Sequence, residues 1–126
     1  MRLVYGLGRA VLGGFFLYNG FNHLTNSDAL AGYAAMKNTP NPKFDVQASG
    51  ALLLASGASL LFGIKPKLGA LGAMLYLTAV TPMIHDFWAQ TDPQQKQNEL
   101  VNFSKNLALL GAAVALLGAE FSSEKD

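Results

Sequence analysis

Polar and charged side chains interrupt two of the apolar segments of this sequence. One segment ends in His85 and Asp86, and the next opens with Asn102, Lys105 and Asn106. Side chains of these types form ion pairs and hydrogen bonds, and histidine exchanges a proton near neutral pH. A charge among apolar residues is costly unless it is paired, so such residues are frequently functional. They are therefore the first candidates for a binding site.

Several other chemistries find no support in the pattern. The two histidines, His23 and His85, lack the HxxH and HxxxH spacings that are typical of a metal site, and we predict none. These 126 residues contain no cysteine, which excludes disulfides, thiolate ligands and thiol–disulfide exchange by the chain itself. No glycine-rich phosphate loop or dinucleotide fingerprint is present. No residue is predicted to be catalytic.

Composition indicates a membrane protein of one domain. Hydrophobic residues make up 51% of the chain and charged residues 13%, whereas a soluble domain carries about 25% charged residues. The formal net charge of +1 provides no basic face for nucleic acid. A length of 126 residues is that of a single domain, residues 1–126.

Four apolar segments are long enough to cross a bilayer, which takes about 20 residues of helix. The second segment has no charged residue, so it lacks the polar face of a soluble helix. The first does not read as a cleaved signal peptide, because Arg9 and Asn19 interrupt it and no small-residue cleavage site follows. The predicted spans are residues 3–24, 46–64, 68–88 and 100–119. The predicted fold is an all-α, integral membrane four-helix bundle.

The connections between the spans add detail to this bundle. A Lys65-Pro-Lys67 turn joins spans two and three, and a link so short makes them antiparallel neighbours. In the first loop, Ser27 or Asp28 can cap a short interfacial helix that runs to Met36. Its apolar side is formed by Leu30, Tyr33, Ala34 and Met36. Small residues at four-residue spacing indicate close helix contacts without identifying the helices; they are Gly6, Ala10 and Gly14, and Gly111, Ala115 and Ala119.

Four spans place both ends of the chain on one side of the membrane. Positive residues near that side number four, against three on the other, which predicts cytoplasmic termini. The two sets are Arg2, Lys65, Lys67 and Lys125, and Lys37, Lys43 and Lys96. This topology brings His23, at the end of span one, level with the polar ends of spans three and four. Arg9 lies about 21 Å away from His23, near the inner surface.

We therefore predict a polar pocket beneath the outer face, with an ion pair between Asp86 and Lys105 and a wall formed by Phe87, Trp88 and Phe103. The predicted ligand-binding residues are His23, His85, Asp86, Phe87, Trp88, Asn102, Lys105 and Asn106. Simpler roles stay open for some of them. Lys105 can extend its amine to the headgroups, Trp88 can anchor the interface, and the histidines can close helix ends.

At these residues the chain resembles the DoxX family of small four-span bacterial membrane proteins. The resemblance is carried by GRAVLGGFFLYNGFNHL, GYAAMKNTPNP, GALLLASGASLLFG, HDFWAQTDP and NFSKNLALLGA. It implies a four-helix bundle in the bacterial inner membrane, associated with oxidoreductase systems such as the DoxD-type subunit of a thiosulfate:quinone oxidoreductase. The recurrent polar residues of the family fall on Arg9, His23, His85, Trp88, Lys105 and Asn106.

The function that we expect is that of an accessory or quinone-type ligand-binding subunit of a membrane oxidoreductase or stress-response system, rather than an autonomous enzyme. No intrinsic cofactor is predicted, so the redox group would belong to a quinone or to a partner. The expected partners are the lipid bilayer, a membrane or soluble oxidoreductase and a second copy of the chain, but not nucleic acid. Two alternatives stay open: a scaffold subunit without a ligand, and an oligomeric transporter of small solutes.

Overall fold

The described part of the chain, residues 2–124 of a computed structural model, is built from helices. The elements are α1 (Arg2–Thr25), α2 (Ser27–Met36), α3 (Pro42–Phe62), α4 (Pro66–Ile84), a 3₁₀ turn at Phe87–Ala89, and α5 (Pro93–Glu124). This confirms the predicted all-α class, with four long helices and the short helix α2 in the first loop. Lys125, which contributed to the predicted charge bias, lies outside the described residues.

Proline and glycine set the ends of the helices. Pro42, Pro66 and Pro93 each begin a helix, where the missing N–H donor would have no intrahelical partner. α3 ends at Phe62, and its C-cap residue is Gly63, whose φ of 72° is the left-handed conformation that glycine adopts easily. The backbone N–H of Gln95 donates to the Asp92 carboxylate at 3.0 Å, which caps the start of α5. α5 therefore begins well before the predicted span.

Three helical segments are long and apolar enough to cross a membrane: Pro42–Phe62, Pro66–Ala89 and Pro93–Ser122. α1 has 24 residues, about 36 Å of helix, but Arg9 and Asn19 lower its mean hydropathy. Its outward side is apolar, as expected of a helix that faces lipid. The exposed large apolar residues of α1 are Leu3, Val4, Leu7, Val11, Phe15, Tyr18, Phe21 and Leu24. That α1 also spans the membrane stays a prediction.

The closest helix contact joins α1 and α3 through glycines. A Cβ atom on Gly13 would lie 2.5 Å from the Leu61 backbone nitrogen, and one on Gly57 would lie 2.5 Å from the Leu17 backbone nitrogen. The backbones approach this closely because neither glycine has a side chain. The glycines that recur at four-residue spacing in the sequence do not make this contact, since a Cβ on Gly6, Gly14 or Gly111 would meet nothing within 4 Å.

The helices are arranged so that α1 and α5 are left apart. α1 packs on α3, α3 on α4, and α4 on α5. The core between them is small and aliphatic apart from one aromatic ring. Its buried members are Leu12, Phe16, Leu53, Leu60, Ala70, Ala73, Leu77 and Ala113. The space between α1 and α5 is bridged where the Tyr5 hydroxyl donates to the Glu120 carboxylate, and it widens toward the other end of the bundle.

Candidate functional site

A pocket of about 540 Å³ opens at the end of the bundle where α1 and α4 terminate. All five helices contribute to it, and α2 lies over it with Leu30, Tyr33 and Ala34 facing inward. Sites for small molecules have volumes of about 300–1,000 Å³ and are mostly apolar with a few polar groups. The pocket fits that description, because apolar side chains from α1, α3 and α4 surround a small number of polar ones.

Four of the predicted residues line this pocket: His23, His85, Lys105 and Asn106. They come from α1, from the residue directly after α4 and from α5, and are up to 83 positions apart, from 23 to 106, so these four residues do lie around one cavity. The other four predicted residues, Asp86, Phe87, Trp88 and Asn102, do not line it. Asn102 instead donates to the carbonyl oxygen of Asn98 in its own helix, at 3.1 Å.

The predicted aromatic wall is wrong. Phe87, Trp88 and Phe103 pack edge to face against one another, with ring centroids 5.2–6.1 Å apart, beside the pocket rather than around it. Phe87 and Trp88 follow the end of α4 in the 3₁₀ turn, and this turn packs against α5, the helix that carries Phe103. The aromatic residues that line the pocket are Phe15, Phe16, Tyr33 and Tyr76.

A buried ion network lies next to the pocket, and Glu99 is its centre. Glu99 is only 4% exposed. The Tyr33 hydroxyl donates to its Oε1, His85 Nδ1 donates to its Oε2 at 2.9 Å, and Lys37 Nζ lies 3.9 Å from Oε1. Lys37 also donates to Asp86 Oδ1 at 2.6 Å. The network thereby ties α5 to α2 through Tyr33, to the residue after α2 through Lys37, and to the residue after α4 through His85.

The predicted ion pair between Asp86 and Lys105 is therefore wrong. Asp86 pairs with Lys37, whereas Lys105 is exposed and makes no ion pair within residues 2–124. The reason is the path of α2, which folds back over the pocket and brings Lys37 under the carboxylates. Sequence reasoning placed Lys37 in a loop and missed Tyr33 as a polar contact. The sequence did contain a signal for this network. Glu99 precedes Asn102 by three residues and therefore lies on the same face of the helix as the predicted site residues.

The network determines which atoms of Tyr33 and His85 donate to Glu99. Burial, followed by the hydrogen bond to Glu99, raises the pKa of Tyr33 above its usual range, so Tyr33 stays a protonated donor. Glu99 accepts from both Tyr33 and His85, which keeps the His85 proton on Nδ1. The other ring nitrogen of His85, Nε2, has no hydrogen-bond partner in the described chain. His85 therefore has one nitrogen anchored and one available to the pocket.

Asn106 is the second polar group that is available to the pocket. It is buried, at 8% exposure, and it lines the cavity. Its amide makes no hydrogen bond to any of residues 2–124. The amide carries two N–H donors and one acceptor oxygen. Asn106 and His85 Nε2 therefore present unmet hydrogen-bonding capacity to the same cavity.

His23, by contrast, is bound on both sides by the protein. Its Nδ1 lies 3.1 Å from Ser49 Oγ and 3.3 Å from the Val46 carbonyl oxygen, and its Nε2 lies 3.5 Å from the Tyr76 hydroxyl. These contacts join α1, α3 and α4 at the base of the pocket. This arrangement makes the imidazole a contact between three helices and part of the pocket wall.

Arg9 lies toward the opposite end of α1, as predicted. Its guanidinium carbon is 5.7 Å from the centre of the Tyr5 ring, and the guanidinium packs against Gly63, where a Cβ atom would lie 2.8 Å from an Arg9 nitrogen. It is separate from the pocket, which it does not line. A cation beside the last turn of α3 is favourable, because the helix dipole places partial negative charge there.

Comparison with known proteins gives one family match. The model of the family described as DoxX matches residues 5–86, from the start of α1 to just beyond α4. The matched segment includes His23 and His85, whereas α5, with Glu99 and Asn106, lies beyond it. No curated protein and no solved structure matches the chain.

Proposed function

The chain belongs to the DoxX family, and from this premise we propose that it is an accessory membrane subunit whose pocket binds a quinone-type ligand for a partner oxidoreductase. The observation that carries the proposal is the pairing of Asn106 with His85 Nε2: two hydrogen-bonding groups without protein partners face one largely apolar cavity. Polar groups that line a cavity and lack protein partners are available to a ligand or to water.

A quinone headgroup suits these groups in shape and in chemistry. It is a flat ring with carbonyl oxygens on opposite edges, and the pocket offers apolar and aromatic surface between its polar groups. The Asn106 amide donates to one carbonyl, with the Lys105 amine as an additional donor at the exposed side. His85 Nε2 accepts from the hydroxyl of the reduced form, or donates to the other carbonyl once it is protonated.

The network around Glu99 supports the same proposal. When His85 Nε2 takes up a proton, the ring becomes a cation, and the Glu99 carboxylate at 2.9 Å from Nδ1 stabilises that charge. A histidine so placed is able to exchange a proton with a ligand. Electrons would pass between the ligand and the partner protein. In this proposal the protein lies in the bacterial inner membrane with its pocket near the outer face and its termini in the cytoplasm.

Replacing Asn106 with Leu should separate binding from stability. We expect the affinity for a short-chain ubiquinone or menaquinone to fall about tenfold, because one hydrogen bond to the headgroup is lost. The free energy of unfolding should stay the same or rise, since no protein group loses a partner. Calorimetric titration in detergent measures the affinity, and unfolding by a denaturing detergent measures the stability.

Trp88→Phe is the control for this experiment, because Trp88 is 56% exposed and lies outside the pocket. Its quinone affinity should equal that of the unchanged protein. The proposal is contradicted if the unchanged protein shows no saturable quinone binding. It is also contradicted if Asn106→Leu unfolds more easily while its affinity is unaltered.

A scaffold without a ligand is the second candidate, and His23 favours it. Because protein atoms satisfy both of its nitrogens, this residue ties three helices together without needing anything in the cavity. On either role His23→Ala should weaken the fold, because His23 contacts α3 and α4. If the scaffold role is correct, no quinone should bind; if the ligand role is correct, quinone should bind and Asn106→Leu should lower its affinity.

A further inference from the structure

An apolar groove leaves the pocket and runs between α1 and α5 toward the other end of the bundle. Its volume is about 500 Å³. The residues that line it are Leu7, Gly8, Val11, Leu12 and Phe15 of α1, and Leu109 and Ala112 of α5. Phe15 and Leu109 also line the pocket, so the two spaces meet at these side chains.

The groove has a defined length and two defined ends. From Leu7 to Phe15 it follows α1 for about 12 Å. At the pocket end it meets the polar headgroup site through Phe15 and Leu109. Near the far end, the hydrogen bond from Tyr5 to Glu120 joins α1 to α5 across the gap. A hydrocarbon chain attached to a molecule in the pocket would therefore lie between two fixed points.

Small residues keep the groove open. A Cβ atom on Gly8 would meet nothing within 4 Å, and Ala112 faces the same space from α5. The opposite face of α1 is closed by the contact of Gly13 with α3. α1 is therefore packed tightly on one side and leaves an open apolar groove on the other. No polar side chain lines this groove, so it suits an unbranched or isoprenoid hydrocarbon.

We propose that this groove binds the hydrocarbon tail of the molecule whose headgroup occupies the pocket. The ligand is then a membrane lipid of quinone type that enters from the bilayer, and not a water-soluble molecule. This inference rests on the proposed function for the headgroup, and it adds the class of ligand. The tail gains packing contacts with α1 and α5, and its orientation sets that of the headgroup.

Filling the groove tests the proposal. We expect Gly8→Leu to lower the affinity for a quinone with a long isoprenoid tail about tenfold, while the affinity for the same headgroup without a tail stays the same. Each comparison uses one ligand in one detergent, so partition of the ligand into micelles cancels. Gly14→Leu is the matched control, because it makes the same change on α1 at a position that is open but outside the groove. It should alter neither affinity.

Ala112→Leu fills the groove from α5 and should reproduce the result, which protects the test against misfolding of one variant. Unchanged affinity for the tailed quinone in both variants would overturn the inference and leave the headgroup proposal standing, provided that the tailless compound binds. If neither compound binds the unchanged protein, both proposals fail together. As an independent check, a photoreactive group at the end of the tail should label the segments 7–15 and 109–112. Labelling confined to the exposed face of α4 would overturn the inference.

Discussion

Replacing Glu99 with Ala is expected to lower the free energy of unfolding by about 3–5 kcal/mol, the usual effect of removing one partner from a buried ion pair. The Lys37 side chain is only 6% exposed and would keep a single partner, Asp86. Tyr33 and His85 would each lose the acceptor that holds them. The loss should be seen as a lower midpoint of unfolding in a denaturing detergent, followed by circular dichroism.

A carboxylate at the surface provides the control for this prediction. Asp28 pairs with Lys43 at 3.0 Å, but both side chains are well exposed, so Asp28→Ala should change stability by less than about 1 kcal/mol. Changing Lys37 and Glu99 together to Met should restore part of the lost stability, because the buried Lys37 charge is then removed together with its buried partner, while Asp86, Tyr33 and His85 still each lose one contact. An effect of Glu99→Ala as small as that of Asp28→Ala would show that the network does not hold α2 and α5 together.

Replacing Gly57 with Ala is expected to destabilise the protein by about 3 kcal/mol, the upper end of the usual range for overpacking. The new methyl group would lie 2.5 Å from the Leu17 backbone nitrogen and 2.8 Å from the Gly13 carbonyl oxygen. Backbone atoms cannot rotate away as a side chain can, so α1 would have to move off α3. Thermal unfolding in detergent measures the loss.

Gly14→Ala is the matched control for the α1–α3 contact. It adds the same methyl group to α1 where nothing lies within 4 Å, so it should be neutral or stabilise the helix by up to about 1 kcal/mol. The separation of α1 from α3 should also move His23, because a Cβ on Gly50 would lie 2.7 Å from the His23 Cβ. Equal stability of Gly57→Ala and Gly14→Ala would mean that the two helices do not touch through their glycines.

The pocket depends on both of these features. The glycine contact fixes α1 and His23 at its base, and the network around Glu99 fixes α2 as its cover and His85 as part of its wall. Tyr33 connects the pocket with the network, since it lines the pocket and donates to Glu99. A change of charge in the network would therefore reach a ligand in the pocket through His85.

Sequence alone determined the helices, their order and the end of the bundle at which four polar residues lie. A bilayer requires each span to be locally apolar, and proline and glycine mark the turns, so these features are written in short segments of the chain. The depth of a residue follows from its distance to the end of its span. For this reason the convergence of His23, His85, Lys105 and Asn106 was predictable, and the pocket contains all four.

Only the tertiary structure decided which of these groups contact each other. Depth gives the position of a residue along the helix axis, but a contact also depends on how each helix is rotated and which neighbour it has. The return of α2 over the pocket gave Asp86 and Glu99 a common partner, Lys37, in place of Lys105. The packing of α1 on α3, and of α5 on α4, left the groove between α1 and α5. Contacts of this kind join residues far apart in the chain, and no local pattern encodes them.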